Sequence, residues 1–305
     1  MQFRNDQLNL DSSSMKSRNL YVITGITGKV GGVLARTLLA ANQPVRAVVR
    51  DADKGAVWAA QGCELALAEM HDEAALTAAF EGAEAAFVLP PPNFDPEPGF
   101  PEARAIGTAT RNALVHSNIS KVVYLSTIGA QAAKENLLTQ HTIAEEIFRT
   151  LPIPVTFLRP AWFMENSSWD VAPARDNGVI PSFLQPLDKP VPMVATVDIG
   201  HVAARLLQET WTGHRTVELE GPHRVTPHEI ATTFSKVLDR PVRAEVVPHE
   251  TWKRLFDSQG MKNPGLRIWM LDGFNEGWID FEGASIKGSI EFESVIRKLV
   301  EQQSN

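Results

Sequence analysis

A short apolar run, Leu20-Tyr21-Val22-Ile23, ends in Thr24-Gly25-Ile26-Thr27-Gly28-Lys29-Val30-Gly31, and apolar residues at helical spacing follow over 30–41. Four apolar residues rich in β-branching and stopped by glycine read as a buried strand. Three glycines placed between a strand and a helix constrain the fold more than any other feature of the 305 residues. Gly25 permits the tight turn out of the strand, Gly28 lets backbone amides approach a ligand, and Gly31 lets helix and strand pack closely. The free amides at the helix start then face an anion, and the arrangement suits the pyrophosphate of a dinucleotide. The legible strand before and helix after make the triplet specific, with Thr27, Lys29 and Val30 completing the turn.

The alternation continues down the chain. Strands are expected at 45–49, 64–68, 85–89, 121–125 and 155–158, with helices at 52–60, 73–80, 101–117 and 136–150 between them. Apolar strands separated by helices imply an α/β fold, a doubly wound parallel sheet of Rossmann type with right-handed crossovers. After Arg159-Pro160 the regularity stops. Pro173, Pro181, Pro186, Pro190 and Pro192 crowd 161–194, too many for regular structure. Asp198 is placed to cap a helix running to about 210, a strand follows at 216–219, and Thr226 with Glu229 has capping-box spacing. Trp252, Leu255, Trp269, Phe274 and Trp278 supply a small helical core or a pocket wall. The expected division is a polar arm at 1–18, a nucleotide-binding domain at 19–160 and 196–220, and a smaller, mainly helical lobe at 161–195 and 221–305.

Charge and composition narrow the function. The net charge is −7 and no run of Lys and Arg forms a basic face, which argues against direct nucleic-acid binding. The single cysteine, Cys63, excludes an internal disulfide and a cysteine-rich zinc site, and its place at a strand start suits a buried thiol. Eight scattered histidines lack metal-ligand spacing, so no metal site is expected. No apolar run of ~18 residues is present and the first residues lack a signal-like apolar centre, so the expected compartment is the cytoplasm, without membrane attachment.

The second strand ends Val48-Val49-Arg50-Asp51, with Lys54 one helical turn on. Two cations there suit the 2′-phosphate of NADP(H), which is favoured over NAD(H). Asp51 either caps the next helix or reaches the adenosine ribose.

These residues resemble the atypical short-chain dehydrogenase/reductase superfamily, most closely its NmrA-like branch. The resemblance spans about 19–302 and also rests on Leu158-Arg159-Pro160 with Phe163 and Glu165-Asn166, on Val197-Asp198-Ile199-Gly200, and on Gly221-Pro222 and Gly288-Ser289. It implies Glu69 and Met70 near the adenine and Leu89 and Pro90 under a ribose. It further implies Ser126, Thr127, Pro160 and Ala161 around the nicotinamide. The branch contains quinone reductases, triphenylmethane-dye reductases and redox-sensing regulators.

One departure stands out. Most active members of the superfamily carry Tyr-x-x-x-Lys on the helix after the fifth strand, whereas the matching positions here are His141 and Glu145. The only tyrosines, Tyr21 and Tyr124, fall inside expected strands. His141 and Glu145 share a helix face, so the carboxylate should raise the imidazole pKa and make His141 a candidate proton donor near neutral pH. Trp162, Phe163, Asn166 and Trp169, with Phe183, are candidates for the acceptor pocket. Two functions follow: an NAD(P)H-dependent reductase of a small flat acceptor such as a quinone, or an NADP(H) sensor read by a protein partner or a second copy in a homodimer.

Overall fold

The computed structural model describes residues 19–303; the polar arm expected at 1–18 lies outside them. Eleven elements alternate without interruption: β1 (Tyr21–Thr24), α1 (Lys29–Ala40), β2 (Val45–Val49), α2 (Ala52–Ala59), β3 (Glu64–Leu67), α3 (Glu73–Phe80), β4 (Ala85–Val88), α4 (Pro101–His116), β5 (Lys121–Leu125), α5 (Thr139–Phe148) and β6 (Val155–Pro160). Short pieces follow: β7 (Trp162–Phe163), a 3-10 turn (Met164–Trp169), α6 (Val171–Asn177), β8 (Val179–Ser182) and β9 (Met193–Val194). The chain ends with α7 (Thr196–Gln208), β10 (His214–Glu220), α8 (Pro227–Leu238), β11 (Arg243–Val246), α9 (Trp252–Ser258), α10 (Pro264–Glu276), β12 (Ile286–Lys287) and α11 (Phe292–Gln302).

Eight strands form one sheet in the order β3-β2-β1-β4-β5-β6-β10-β12, and every pairing in it is parallel. Strands β1, β4, β5 and β6 are buried along their whole length, as continuous apolar runs demand in a sheet covered on both faces. Ile23, Leu34, Val123, Leu158 and Ile199 pack under α1 and α7 on one face. Val22, Phe80, Tyr124, Phe148 and Phe157 pack under α3 and α5 on the other. A further core, with Phe234, Trp252, Phe256, Phe274 and Ile296, holds the helices after β10 together. The chain winds outward in both directions from β1 and β4, so a topological switch point opens at their carboxyl ends, where α/β sheets bind ligands.

Three expectations are corrected. The proline-rich stretch 161–194 is largely regular. Pro173 lies in the first turn of α6, where the missing N–H forfeits no helical bond, and Pro181 lies in β8, which among the described residues pairs only with β11. Residues 286–287 leave the expected lobe and join the main sheet beside β10. Asp198 does not cap α7. Ala195 is the N-cap, and the carboxylate of Glu165 accepts the Thr196 amide at 2.9 and 3.0 Å. Asp198 is buried two residues inside the helix and accepts the amides of Ser289 (3.1 Å) and Ile290 (3.0 Å), tying the segment after β12 to α7. The capping box of Thr226 and Glu229 forms as its spacing requires. Among the described residues no helix is long and apolar enough to cross a membrane.

Candidate active site

The turn between β1 and α1 is a backbone cradle. Gly25 takes φ +66°, and its carbonyl accepts the Gly28 amide at 3.0 Å. Gly28 caps α1 without a side-chain acceptor, and no acidic residue lies in the first turn, so the leading amides of α1 are left for a ligand. Thr27, Gly28 and Lys29 are exposed. A Cβ on Gly31 would sit 2.3 Å from the Gly25 carbonyl oxygen, which shows how tightly helix and turn approach. A Cβ on Gly25 would meet Leu89 Cδ2 at 2.8 Å, so the end of β4 closes one side of the cradle. Thr24 Oγ1 fastens that side by accepting the Leu89 amide at 2.8 Å. Bare helix amides, absent acids and a glycine floor fit the pyrophosphate of a dinucleotide.

At the end of β2, Arg50 and Lys54 are exposed and have no partner among the described residues. Asp51 accepts the Asp53 amide at 2.9 Å and caps α2, the first of its two expected uses. Glu69 is exposed and Met70 buried in the turn after β3. Thr127 is half-buried, Ser126, Pro160 and Ala161 are buried, and Leu89 and Pro90 are half-buried at the end of β4. The aromatic candidates separate. Trp162 packs edge-on to Phe274 at 5.2 Å, Phe163 is half-buried beside β9, and Asn166 is half-buried in the 3-10 turn. Trp169 is 63% exposed under the Arg267 guanidinium, and Phe183 stacks on Phe256 within the helical core.

The polar cluster at the ends of β5 and β6 differs from expectation. Glu145 does not pair with His141. Its carboxylate accepts Nε and a terminal nitrogen of Arg159 at 2.8 and 2.7 Å and the Ser126 hydroxyl at 2.6 Å. Burial alone would raise this carboxyl, but the bonds from Arg159 and Ser126 and the charges of Arg159 and Arg149 hold it below the usual range. The expected protonated His141 is therefore corrected. Burial lowers its pKa to about 4, and the nearby Glu145 charge opposes this only in part. Its Nδ1 instead lies 3.0 Å from the Tyr124 hydroxyl, whose own ionisation is pushed up by burial and then by Glu145.

The sequence profile of the NmrA-like family matches residues 17–267. The chain belongs to that family. It is 32% identical over 232 residues to a (4-alkanoyl-5-oxo-2,5-dihydrofuran-3-yl)methyl phosphate reductase of Streptomyces griseus, covering 74% of this chain and 76% of that protein. It is 26% identical over 260 residues to an NAD(P)H azoreductase of Xenophilus azovorans, with 84% and 85% covered. The fold superposes with a TM-score of 0.72 on the NADPH-dependent quinone oxidoreductase of Escherichia coli crystallised with NADPH, at 23% identity, over 92% of this chain and 94% of that one.

In this NmrA-like chain, the sequence assigned no role to two residues of the cluster. Arg159 bridges α5, Gln131 (3.0 Å) and Glu282 (2.7 Å), with Glu218 at 3.9 Å. Its signal in the sequence is a lone charge inside an apolar strand. Tyr124 carried no such signal, because an aromatic residue in a strand is ordinary core. Two guanidiniums, Arg149 and Arg159, face three carboxylates, Glu145, Glu218 and Glu282. Among the described residues, no uncompensated cation stands beside Glu145, the position matched to the superfamily's lysine.

Proposed function

We propose that this chain is an NAD(P)H-dependent reductase that passes hydride to a flat, conjugated acceptor such as a quinone. The observation that carries the reading is the bonding of the cluster at β5 and β6, where Arg159 and Ser126 hold the Glu145 carboxylate and the Tyr124 hydroxyl faces His141 Nδ1. His141 is neutral, the Tyr124 phenol is hard to ionise, and Glu145 is ionised and bound, so no side chain there yields a proton readily at neutral pH. Reduction of an isolated carbonyl leaves a localised alkoxide that needs an acid. A quinone spreads the negative charge over its own ring and can take its proton from water, so positioning matters more than acid catalysis. The named acceptors of the azoreductase and quinone oxidoreductase relatives agree with this class.

When bound, the reduced nicotinamide supplies the hydride. The chain binds and orients. Gly25, Thr27, Gly28, Lys29, Val30 and Gly31 take the pyrophosphate, and Arg50 with Lys54 takes the 2′-phosphate, which favours NADP(H). Glu69 and Met70 border the adenine; Leu89, Pro90, Ser126, Thr127, Pro160 and Ala161 border the nicotinamide half. Trp162, Phe163 and Asn166, which follow β6 directly, border the acceptor, Trp169 stays at the surface under Arg267, and His141 offers the acceptor a neutral hydrogen bond.

Purified protein mixed with NADPH and a panel of quinones, followed by nicotinamide absorbance, tests the reading. Slow, saturable oxidation that depends on the acceptor is expected. The second reading, a sensor, is favoured by the same missing dyad. It wins if no acceptor consumes NADPH while NADPH still protects 161–194 from protease.

A further inference from the structure

His141 is the third residue of α5, and Tyr124 is the penultimate residue of β5, seventeen positions earlier. Their side chains meet at 3.0 Å, Tyr124 hydroxyl to His141 Nδ1, with ring centroids 6.1 Å apart. Hydrogen accounting decides the donor. Tyr124 is 1% exposed, and its hydroxyl has no second partner among the described residues. Were Nδ1–H the donor, the phenolic proton would be buried without an acceptor, which costs about 1–3 kcal/mol. The phenol therefore donates to Nδ1, and a neutral imidazole must carry its own proton on Nε2. That nitrogen has no partner among the described residues either. Thr110 Oγ1 and Trp211 Nε1 are the buried side-chain polar atoms left unpaired among the described residues, so Nε2 of the half-buried His141 ring reaches solvent-accessible space. It does so in the first turn of α5, just after the loop from the carboxyl end of β5, on the sheet edge that also carries the glycine cradle.

We propose that Tyr124 is a positioning residue: by donating to Nδ1 it locks His141 in the Nε2–H form, leaving that N–H to bond an oxygen of the reducible acceptor. This rests on the reductase reading. The opposite tautomer would turn a lone pair toward the same oxygen and repel it. The strand phenol thus acts through the histidine that stands where the superfamily places a helix tyrosine.

The test reads the tautomer directly. In two-bond proton–nitrogen spectra of ¹⁵N-labelled protein at neutral pH, the signal lost in His141→Gln identifies the ring. A single Nε2–H pattern is expected in the unmodified protein, giving way to a tautomer average in Tyr124→Phe. With an active quinone, Tyr124→Phe should lower kcat about tenfold, less than the 100-fold or more expected for loss of a well-placed donor, with NADPH affinity unchanged. An Nδ1–H pattern in the unmodified protein overturns the proposal, even if the variant fails to fold. So does a Tyr124→Phe spectrum identical to it. If no acceptor is reduced but the tautomer results hold, the reductase reading fails and the lock stands.

Discussion

Gly31 has no room for a side chain, because its Cβ would lie 2.3 Å from the Gly25 carbonyl oxygen and 2.9 Å from Ile26 Cα, both backbone atoms. Gly31→Ala must push α1 away from the cradle and is expected to lower NADPH affinity at least about tenfold, roughly 1.4 kcal/mol. Gly32→Ala is the control. Its nearest neighbour is the end of the flexible Arg36 side chain at 3.3 Å, so calorimetry should find affinity little changed. Arg50 tests cofactor choice at the same scale. A charge-assisted bond to a 2′-phosphate is worth about 1.5–3 kcal/mol, or about 10- to 100-fold in affinity. Arg50→Ala should remove most of that preference and leave NAD(H) binding nearly intact; equal affinities in the unmodified protein would refute the NADP(H) assignment.

Between elements, the buried ion pair of Glu145 on α5 with Arg159 on β6 is the main polar joint. Removing one partner of such a pair leaves a buried charge and costs about 3–5 kcal/mol, whereas replacing both by apolar residues is far milder. Glu145→Gln should therefore lower the urea midpoint sharply at pH 7, and Glu145→Leu with Arg159→Met should recover at least half the loss. Equal destabilisation by single and double variants would mean that Glu282, Glu218 and Gln131, not Glu145, hold Arg159. The elements themselves were legible: β2, α3 and β5 begin and end where apolar runs and Asp, Gly or Pro punctuation place them. The stretch 161–194 was not. Proline rules out positions within an element rather than the element itself, and α6 and β8 place their prolines where no amide is required.

At the scale of the whole molecule, stability should follow two opposing titrations. His141 falls to about 4 in the fold from 6.5, because burial outweighs Glu145, so the folded state binds this proton less readily. Its contribution is complete above pH 6.5 and is lost as pH falls toward 4, with a limiting slope of ~1.4 kcal/mol per pH unit. Asp170 rises to about 7 from 3.8, because burial outweighs its bond from Ser167. Its buried charge costs stability above pH 7, and that cost is relieved as pH falls toward 3.8. Urea midpoints at pH 7.5, 6 and 5 separate the two. Relative to the unmodified protein, His141→Gln should gain as pH falls, and Asp170→Asn should lose. Parallel curves for His141→Gln would mean that the imidazole titrates normally.

Local chemistry settled the sheet, the glycine turn and the capping box of α8, because strand periodicity, conformational freedom at glycine and Thr-x-x-Glu spacing all act over a few residues. Such reasoning paired Glu145 with His141, its neighbour one turn away, and assigned Asp198 to the nearest helix end. Packing decided otherwise. Arg159, on the adjacent strand, offers Glu145 two charge-assisted bonds where His141 could offer one. Glu165 reaches the start of α7 from 31 residues away, which frees Asp198 to hold residues 289 and 290. The same contest acts on His141: burial outweighs the carboxylate on its own helix, and the Tyr124 phenol that faces its Nδ1 comes from a neighbouring strand, so these surroundings exist only once the chain has folded.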